Sequence, residues 1–408
     1  MGSARAVDEP SKAPGGSTRA TILLSFGLVA NLATQMTFAA TLHEIAAAWS
    51  LDASQSGWIG GIYFAGYAIA VPFLASATDR MDGRRLYLGS ALLGAAASLA
   101  FAAFAHGFVL ALILRFLGGV GLAGVHMPGL NLLMDRVDRT QQGRAAGIYT
   151  SSYAAGSAVS FMIAGVIDTA FGWRATFIAA GIGPLLSIGA CALLPRSLIE
   201  KKSDRPQPSY RALFRNRALI AYVAAFAGNT WEVFAVRVWF VAYLAFLLRL
   251  PGNHITLPAL GLVSGAASLA SVPVSMVMAE VAARHGRRRV VIGICFASVA
   301  TCLALSATAG GSISIVLPLL VLVQITSFAD VGALAGGAVA AADPAQRGAS
   351  LALYALSGFT TGFLGPVAVG TVLDWFGGAA SASGWMAGFA LIALGSMAAA
   401  LAVWWAPD

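Results

Sequence analysis

Five ionisable side chains stand away from the ends of long apolar runs: Arg115 and His126 in one run, Glu232 and Arg237 in another, Asp330 in a third. A charge in such a setting costs about 2.5–3.5 kcal/mol on insertion scales, so each needs a partner, a polar cavity or a task. Glu232 lies near the middle of its run, where desolvation favours the neutral carboxyl. It is the first choice for loading and releasing a proton, with Asp330 the second. Arg237 follows about 140° further round a helix, so a direct pair between the two is not expected. It is left to bind an anion or to meet Asp330 across a cavity, and a structural ion-pair network is the competing reading. Arg115 is expected to face a polar cavity or a partner, with snorkelling to the surface as its alternative. His126 reads either as part of a proton relay or as a hydrogen-bonded structural imidazole. Asn31, Gln35, Trp231 and Gln324 complete the polar and aromatic set expected to line a cavity.

The elements that hold these groups follow from composition. The chain has 408 residues, 58% of them apolar and only 10% charged, with a mean hydropathy of +0.79. Such a chain is solvated by lipid. A helix needs about 20 apolar residues to cross about 30 Å of hydrocarbon. Runs of that length recur twelve times, near 20–42, 55–77, 86–105, 108–134, 145–171, 175–194, 219–248, 257–283, 290–309, 313–342, 349–376 and 385–405. The interior polar groups fall in spans 1, 4, 7 and 10. This is the pattern of three-helix units whose first helix lines a central aqueous path. The other spans carry acids only at their margins, as with Asp168, Glu280 and Asp374.

The net charge of +8 comes from Lys and Arg in short clusters between spans, which marks cytoplasmic loops and not a nucleic-acid surface. Only Arg174 and Arg249 fall on the opposite face, so both termini are expected in the cytoplasm and the protein in the inner, cytoplasmic membrane. Residues 1–18 read as a polar cytoplasmic tail without a visible signal peptide. The long hydrophilic stretch 195–217 divides the chain into six-helix bundles at 19–194 and 218–408. Cys191, Cys295 and Cys302 lie in apolar stretches without ligand spacing and read as core residues, so no metal or other cofactor is expected.

The bundles repeat. At a shift of about 205 residues Gly143 meets Gly348, Tyr149 meets Tyr354, Gly165 meets Gly370 and Gly172 meets Gly377, while Asp330 falls within a position of His126. The loop after span 2 contains Asp79, Arg80, Gly83, Arg84 and Arg85, and it returns after span 8 as Arg284, Gly286, Arg287 and Arg288. The acid ending span 2 and the arginines opening span 3 each oppose their own helix dipole, at about 0.3–1 kcal/mol, so other partners must hold them. Span 4 adds Arg115 followed by Gly118, Gly119 and Gly121, small residues that let another backbone approach.

In these loops, in the Arg-glycine series of span 4 and in the twelve-span duplication, the chain resembles the major facilitator superfamily of secondary transporters. The resemblance implies an all-α integral membrane fold of two pseudo-symmetric six-helix bundles. It also implies that Asp79 faces the start of span 11, near 348–350, and pairs with basic residues when the cytoplasmic side is closed. The Gly-Pro signature of proton-coupled drug exporters is not in span 5; Gly362, Gly365, Pro366 and Gly370 of span 11 are similar to it.

No P-loop and no metal-ligand cluster is legible, so an enzyme is not expected. The expected function is alternating-access transport of a small organic solute, an organic anion or drug-like metabolite being favoured by the two arginines, driven by protons. Its partners are then the solute, protons and the lipid bilayer, with the protein a monomer that binds no nucleic acid. An uncoupled facilitator of the same fold, and a membrane receptor or assembly protein that no longer transports, are the alternatives.

Overall fold

Inside hydrocarbon every backbone N–H and C=O must find an internal partner, so apolar runs of this length fold as helices. The computed structural model describes residues 16–78, 81–138, 140–194, 210–253 and 259–406, and helix is the only regular structure among them. The first half contains α1 (Gly16–Asn31), a 3-10 turn at Leu32–Thr34, α2 (Thr37–Trp49), α3 (Ala53–Thr78), α4 (Gly83–Phe104), α5 (Phe108–Met134) and α6 (Gln142–Ala192). The second contains α7 (Tyr210–Arg215), α8 (Arg217–Leu248), α9 (Leu260–His285), α10 (Arg287–Ala307), α11 (Ile313–Ala329), α12 (Val331–Ala341), a 3-10 turn at Pro344–Gln346, α13 (Arg347–Trp375) and α14 (Ala382–Trp404).

Among the described residues, 11 stretches are long and apolar enough to cross a membrane. The difference from twelve lies in α6, whose 51 residues would run about 76 Å if straight. They do not run straight. Gly172 sits at φ 77° and ψ 173°, a backbone only glycine adopts readily. Ser160 donates to the carbonyl of Ala33 and accepts from the N–H of Met36, while Gly183, about 35 Å further along a straight helix, packs on Ala30. The chain therefore reverses at Gly172, and α6 supplies spans 5 and 6. Its repeat partner Gly377 also has a positive φ, 100°.

Two spans expected to be continuous are broken. Span 1 stops at Asn31 and resumes at Thr37, reaching on to Trp49; span 10 is interrupted at Asp330 between α11 and α12. Each break is held by a neighbouring span. Arg115 of α5 donates from Nη1 to the Thr34 carbonyl and from Nη2 to the Gln35 carbonyl, both at 3.0 Å. Asn229 of α8 donates at 2.7 Å both to the Ser327 carbonyl and to the Asp330 carboxylate. A cation or amide on carbonyls freed at a helix end is the favourable arrangement there.

The halves meet where α3 packs on α13, α6 on α9 and α2 on α8. These contacts gather at the end where α3 begins and α13 finishes. A Cβ on Gly165 of α6 would lie 2.7 Å from the Cα of Gly261 at the start of α9, so the two backbones touch. At the opposite end of the seam helices α6 and α13, Gly143, Gly147 and Gly348 face open space.

Candidate functional site

The orientation of α8 sorts the interior charges. Phe234 stacks toward Phe64 of α3 with ring centroids 4.1 Å apart, and Val238 lies against Gly60, so these residues mark the face turned to the other half. Arg237 is about 60° from Phe234 around the helix, whereas Glu232 is about 160° away. The two charges of this span therefore serve different environments.

Arg237 belongs to the seam. It is 2% exposed, its Nε and Nη2 have no hydrogen-bond partner, and its guanidinium lies 4.9 Å from the ring centre of Phe328. Tyr153 of α6, in the other half, is close enough to act on it electrostatically. The Tyr153 hydroxyl accepts from Gln35 Nε2 at 2.6 Å, and the side-chain Oε1 of Gln35 accepts from Ser157. His126 lies beside Tyr153 at 4.9 Å and shares a 2.7 Å hydrogen bond between its Nδ1 and the Tyr67 hydroxyl. Tyr67 stacks on Phe359 of α13 at 3.8 Å, across the seam. Tyr67 lies about 21 Å along α3 from Ala53. This ring layer is therefore the deep end of the closed contact, with Arg237, Tyr153, Gln35 and His126 around it.

Glu232 turns away from this layer. Its carboxylate, 0% exposed, accepts from Ser298 at 2.5 Å, from Cys302 at 3.4 Å and from Ser396, which belong to α10 and α14. Asp330 accepts from Asn229 and, at 3.6 Å, from Cys295. It does not meet Arg237, and among the described residues neither acid pairs with a cation. Both lie in a polar core inside the second half, which corrects the expectation that they line the seam. The wheel position of Glu232, read against its neighbours, carried this signal.

Four other expected cavity residues are also placed elsewhere. Trp231 donates to the Leu391 carbonyl at 3.4 Å and packs between α13 and α14. Gln324 donates to Ser268 at 2.8 Å, joining α11 to α9 within the second half. Arg115 is buried on the broken span 1, with Tyr63 beneath its guanidinium at 4.4 Å, and neither snorkels nor stands free. Asn31 is buried at the start of the same break, its Nδ2 without a partner. The recurrence of polar groups in spans 1, 4, 7 and 10 thus serves helix breaks as well as the seam.

The loop motifs find the partners their unfavourable dipoles demand. Arg84 reaches the Leu194 and Ala192 carbonyls at 3.1 and 2.8 Å, capping the end of α6. Arg288 donates to the Trp404 carbonyl at the end of α14, the same contact in the second half. Gly83 begins α4, whose Arg84 N–H is capped by Asp82 at 2.9 Å. Arg85 is exposed, Arg284 pairs with Glu280 at 2.6 Å, and Gly286 turns the chain at φ 94°. Arg287 lies against Gly336 with its Nε unpartnered. Asp79 and Arg80 lie outside the described residues.

Sequence reasoning missed Asp374. It accepts from the N–H groups of Ala53 and Ser54 at 3.0 and 2.7 Å and from the Ser54 hydroxyl at 2.6 Å, capping α3 from the opposite half. Its signal was present: an acid at the C-terminal end of a helix, opposing the local dipole, as at Asp79.

The family model described as Major Facilitator Superfamily matches residues 24–252. A protein of Escherichia coli (strain K12) named "Probable L-galactonate transporter" is 25% identical over 245 residues, 56% of this chain and 54% of that protein. The niacin transporter NiaP of Acinetobacter baylyi is 27% identical over 150 residues, 37% of this chain and 34% of that protein. This chain thus spans about half or less of the length of these curated relatives. A bacterial homolog to the human lysosomal transporter Spinster, solved in an inward-facing and occupied conformation, has a TM-score of 0.79 at 15% identity and covers 95% of this chain and 96% of that one. That likeness concerns the fold. The paired six-helix bundles, the repeated basic loops and a family match over more than half of the sequence agree: this chain belongs to the major facilitator superfamily.

Proposed function

We propose that this chain is a secondary transporter of a small organic anion, working by alternating access in the cytoplasmic membrane with both termini in the cytoplasm. The observation that carries the reading is the Arg237 guanidinium, buried on the seam with two donor atoms unpartnered. A buried cation without hydrogen bonds is costly, and a carboxylate is the ligand its planar fork fits best. Tyr153 and Gln35 supply neighbouring polar contacts, and the rings of Tyr67, His126 and Phe359 supply an apolar wall. The relatives named for L-galactonate and for niacin, both carboxylic acids, support the same class. Basic loops at the end away from Ala53 favour that end as cytoplasmic. The closed contact at the other end then makes this the cytoplasm-facing state. One chain supplies both halves, so a monomer suffices.

Coupling falls to Glu232 and Asp330. Two buried acids without a cation need protons, and both bear on moving parts, Glu232 on the helix that carries Arg237 and Asp330 on the break in span 10. A proton carried with a monovalent anion moves no net charge, so accumulation is driven by the pH gradient, each unit of which is worth about 1.4 kcal/mol or roughly tenfold. Uptake of a panel of carboxylates into proteoliposomes tests both steps. Arg237→Gln is expected to lower uptake at least tenfold; uptake equal to wild type would overturn the anion site. Equal accumulation with and without a pH gradient would remove the coupling.

A further inference from the structure

We propose that His43, Glu44 and Asp168 form a site for a divalent transition-metal cation at the outer end of the first half. His43 and Glu44 lie on α2, the outer piece of the broken span 1, and Asp168 lies on α6 one turn before the reversal at Gly172. One donor atom from each, an imidazole nitrogen and two carboxylate oxygens, falls within 4.8 Å of the others. The residues come from two elements far apart in the chain, so no ligand spacing in the sequence announces them.

The cluster is short of positive charge. Asp168 is only 6% exposed, and its Oδ1 has no hydrogen-bond partner. Glu44 is its direct neighbour, so two carboxyl groups face one another close enough to hydrogen-bond. The buried Nδ1 of His43 is likewise unpartnered. Among the described residues, the charged groups that act on His43 are Glu44 and, from the end of α8, Arg249. An unpartnered imidazole nitrogen beside two facing carboxyls brings three potential ligand atoms to one point.

One nitrogen and two oxygens suit zinc and its first-row neighbours, bound at about 2.0–2.2 Å, better than magnesium or calcium, which take oxygen alone. A side-chain adjustment of about 1 Å would bring the three atoms to that distance, leaving a fourth position for water. His43 and Glu44 are only partly buried, so the site is reachable from the end where α3 begins. A bound cation would fasten α2 to α6 beside the contact that α2 makes with α8. The adjacent Trp49–Trp173 pair, 5.5 Å between ring centres, is placed to report it optically.

Zinc titration of the tag-free, detergent-purified full chain, by equilibrium dialysis and tryptophan fluorescence with magnesium as the comparison, tests the site. One equivalent of zinc is expected, with a rise in thermal midpoint that magnesium does not give. Asp168→Asn should abolish the binding, and Glu44→Gln, at a partly exposed position where misfolding is not an issue, should weaken it at least tenfold. Zinc uptake by the wild type no greater than by the folded Glu44→Gln protein would overturn the proposal. So would a carboxyl pair satisfied by a shared proton, which would show no metal-specific shift.

Discussion

The carboxylate of Asp374, at the end of α13, caps the first turn of α3 through the backbone N–H and hydroxyl of Ser54 at 2.7 and 2.6 Å. The two residues belong to opposite halves, so this cap requires the halves to be closed at the end where α3 begins. An acid at the C-terminus of its own helix is unfavourable there and favourable at the N-terminus of another. The same chemistry, run between the end of span 2 and the start of span 11, is what the family resemblance implies for Asp79 at the other end.

Asp374→Ala should loosen the closure at the end where α3 begins. Loss of a capping side chain costs about 0.5–2 kcal/mol, which multiplies the open population by roughly 2 to 30. Distance measurement between spin labels at Asp52 and Ala380 should reveal a longer component. An unchanged distribution would show that the cap does not hold the seam.

Gly165→Val attacks the same closure by volume. The Gly165 and Gly261 backbones leave no room for a side chain, since a Cβ would lie 2.7 Å from the facing Cα. The variant should fold but shift away from closure at this end, with the seam there newly accessible to labelling reagents. Retention of both wild-type labelling and wild-type transport would contradict the contact.

Arg115→Met should destabilise the protein without selective loss of substrate affinity. It strands the Thr34 and Gln35 carbonyls in a dry setting, at about 1–3 kcal/mol each. The thermal midpoint should drop by several degrees, and Arg115→Lys should recover only part of the loss because one ammonium does not reproduce the fork. A normal midpoint with weakened ligand binding would reassign Arg115 to the substrate.

Glu232→Gln and Asp330→Asn should abolish gradient-driven accumulation while leaving counterflow exchange. Neither acid has a cationic partner to lose, so the neutral isosteres should fold with unchanged or higher stability. Gradient-driven uptake at the wild-type level in both variants would discard them as the coupling pair.

Much of the fold was legible because lipid allows few solutions. The apolar runs, the basic loops and the 205-residue repeat each reflect constraints local to a span or a loop. Gly172 and Gly377, paired by the repeat, both prove to have positive φ. The breaks at 32–36 and at Asp330 were not legible, since the apolar pattern continues through them and the compensating groups, Arg115 and Asn229, come from other spans. Arg84 shows the intermediate case: its conflict with its own helix dipole was visible, but its partners at the end of α6 were not.

Sequence alone therefore determined that costly charges sit at 115, 232, 237 and 330, because hydropathy is a property of each residue and its chain neighbours. Tertiary structure alone decided what each one faces. Glu232 and Arg237 share a helix, yet one turns into a hydroxyl-lined core and the other, unpartnered, toward the seam. A helix projects successive side chains about 100° apart, and which direction is inward depends on where the other spans pack. Likewise Asp374 and Asp168 look alike as marginal acids. The packing of antiparallel helices makes one a cap across the halves and sets the other beside His43 and Glu44.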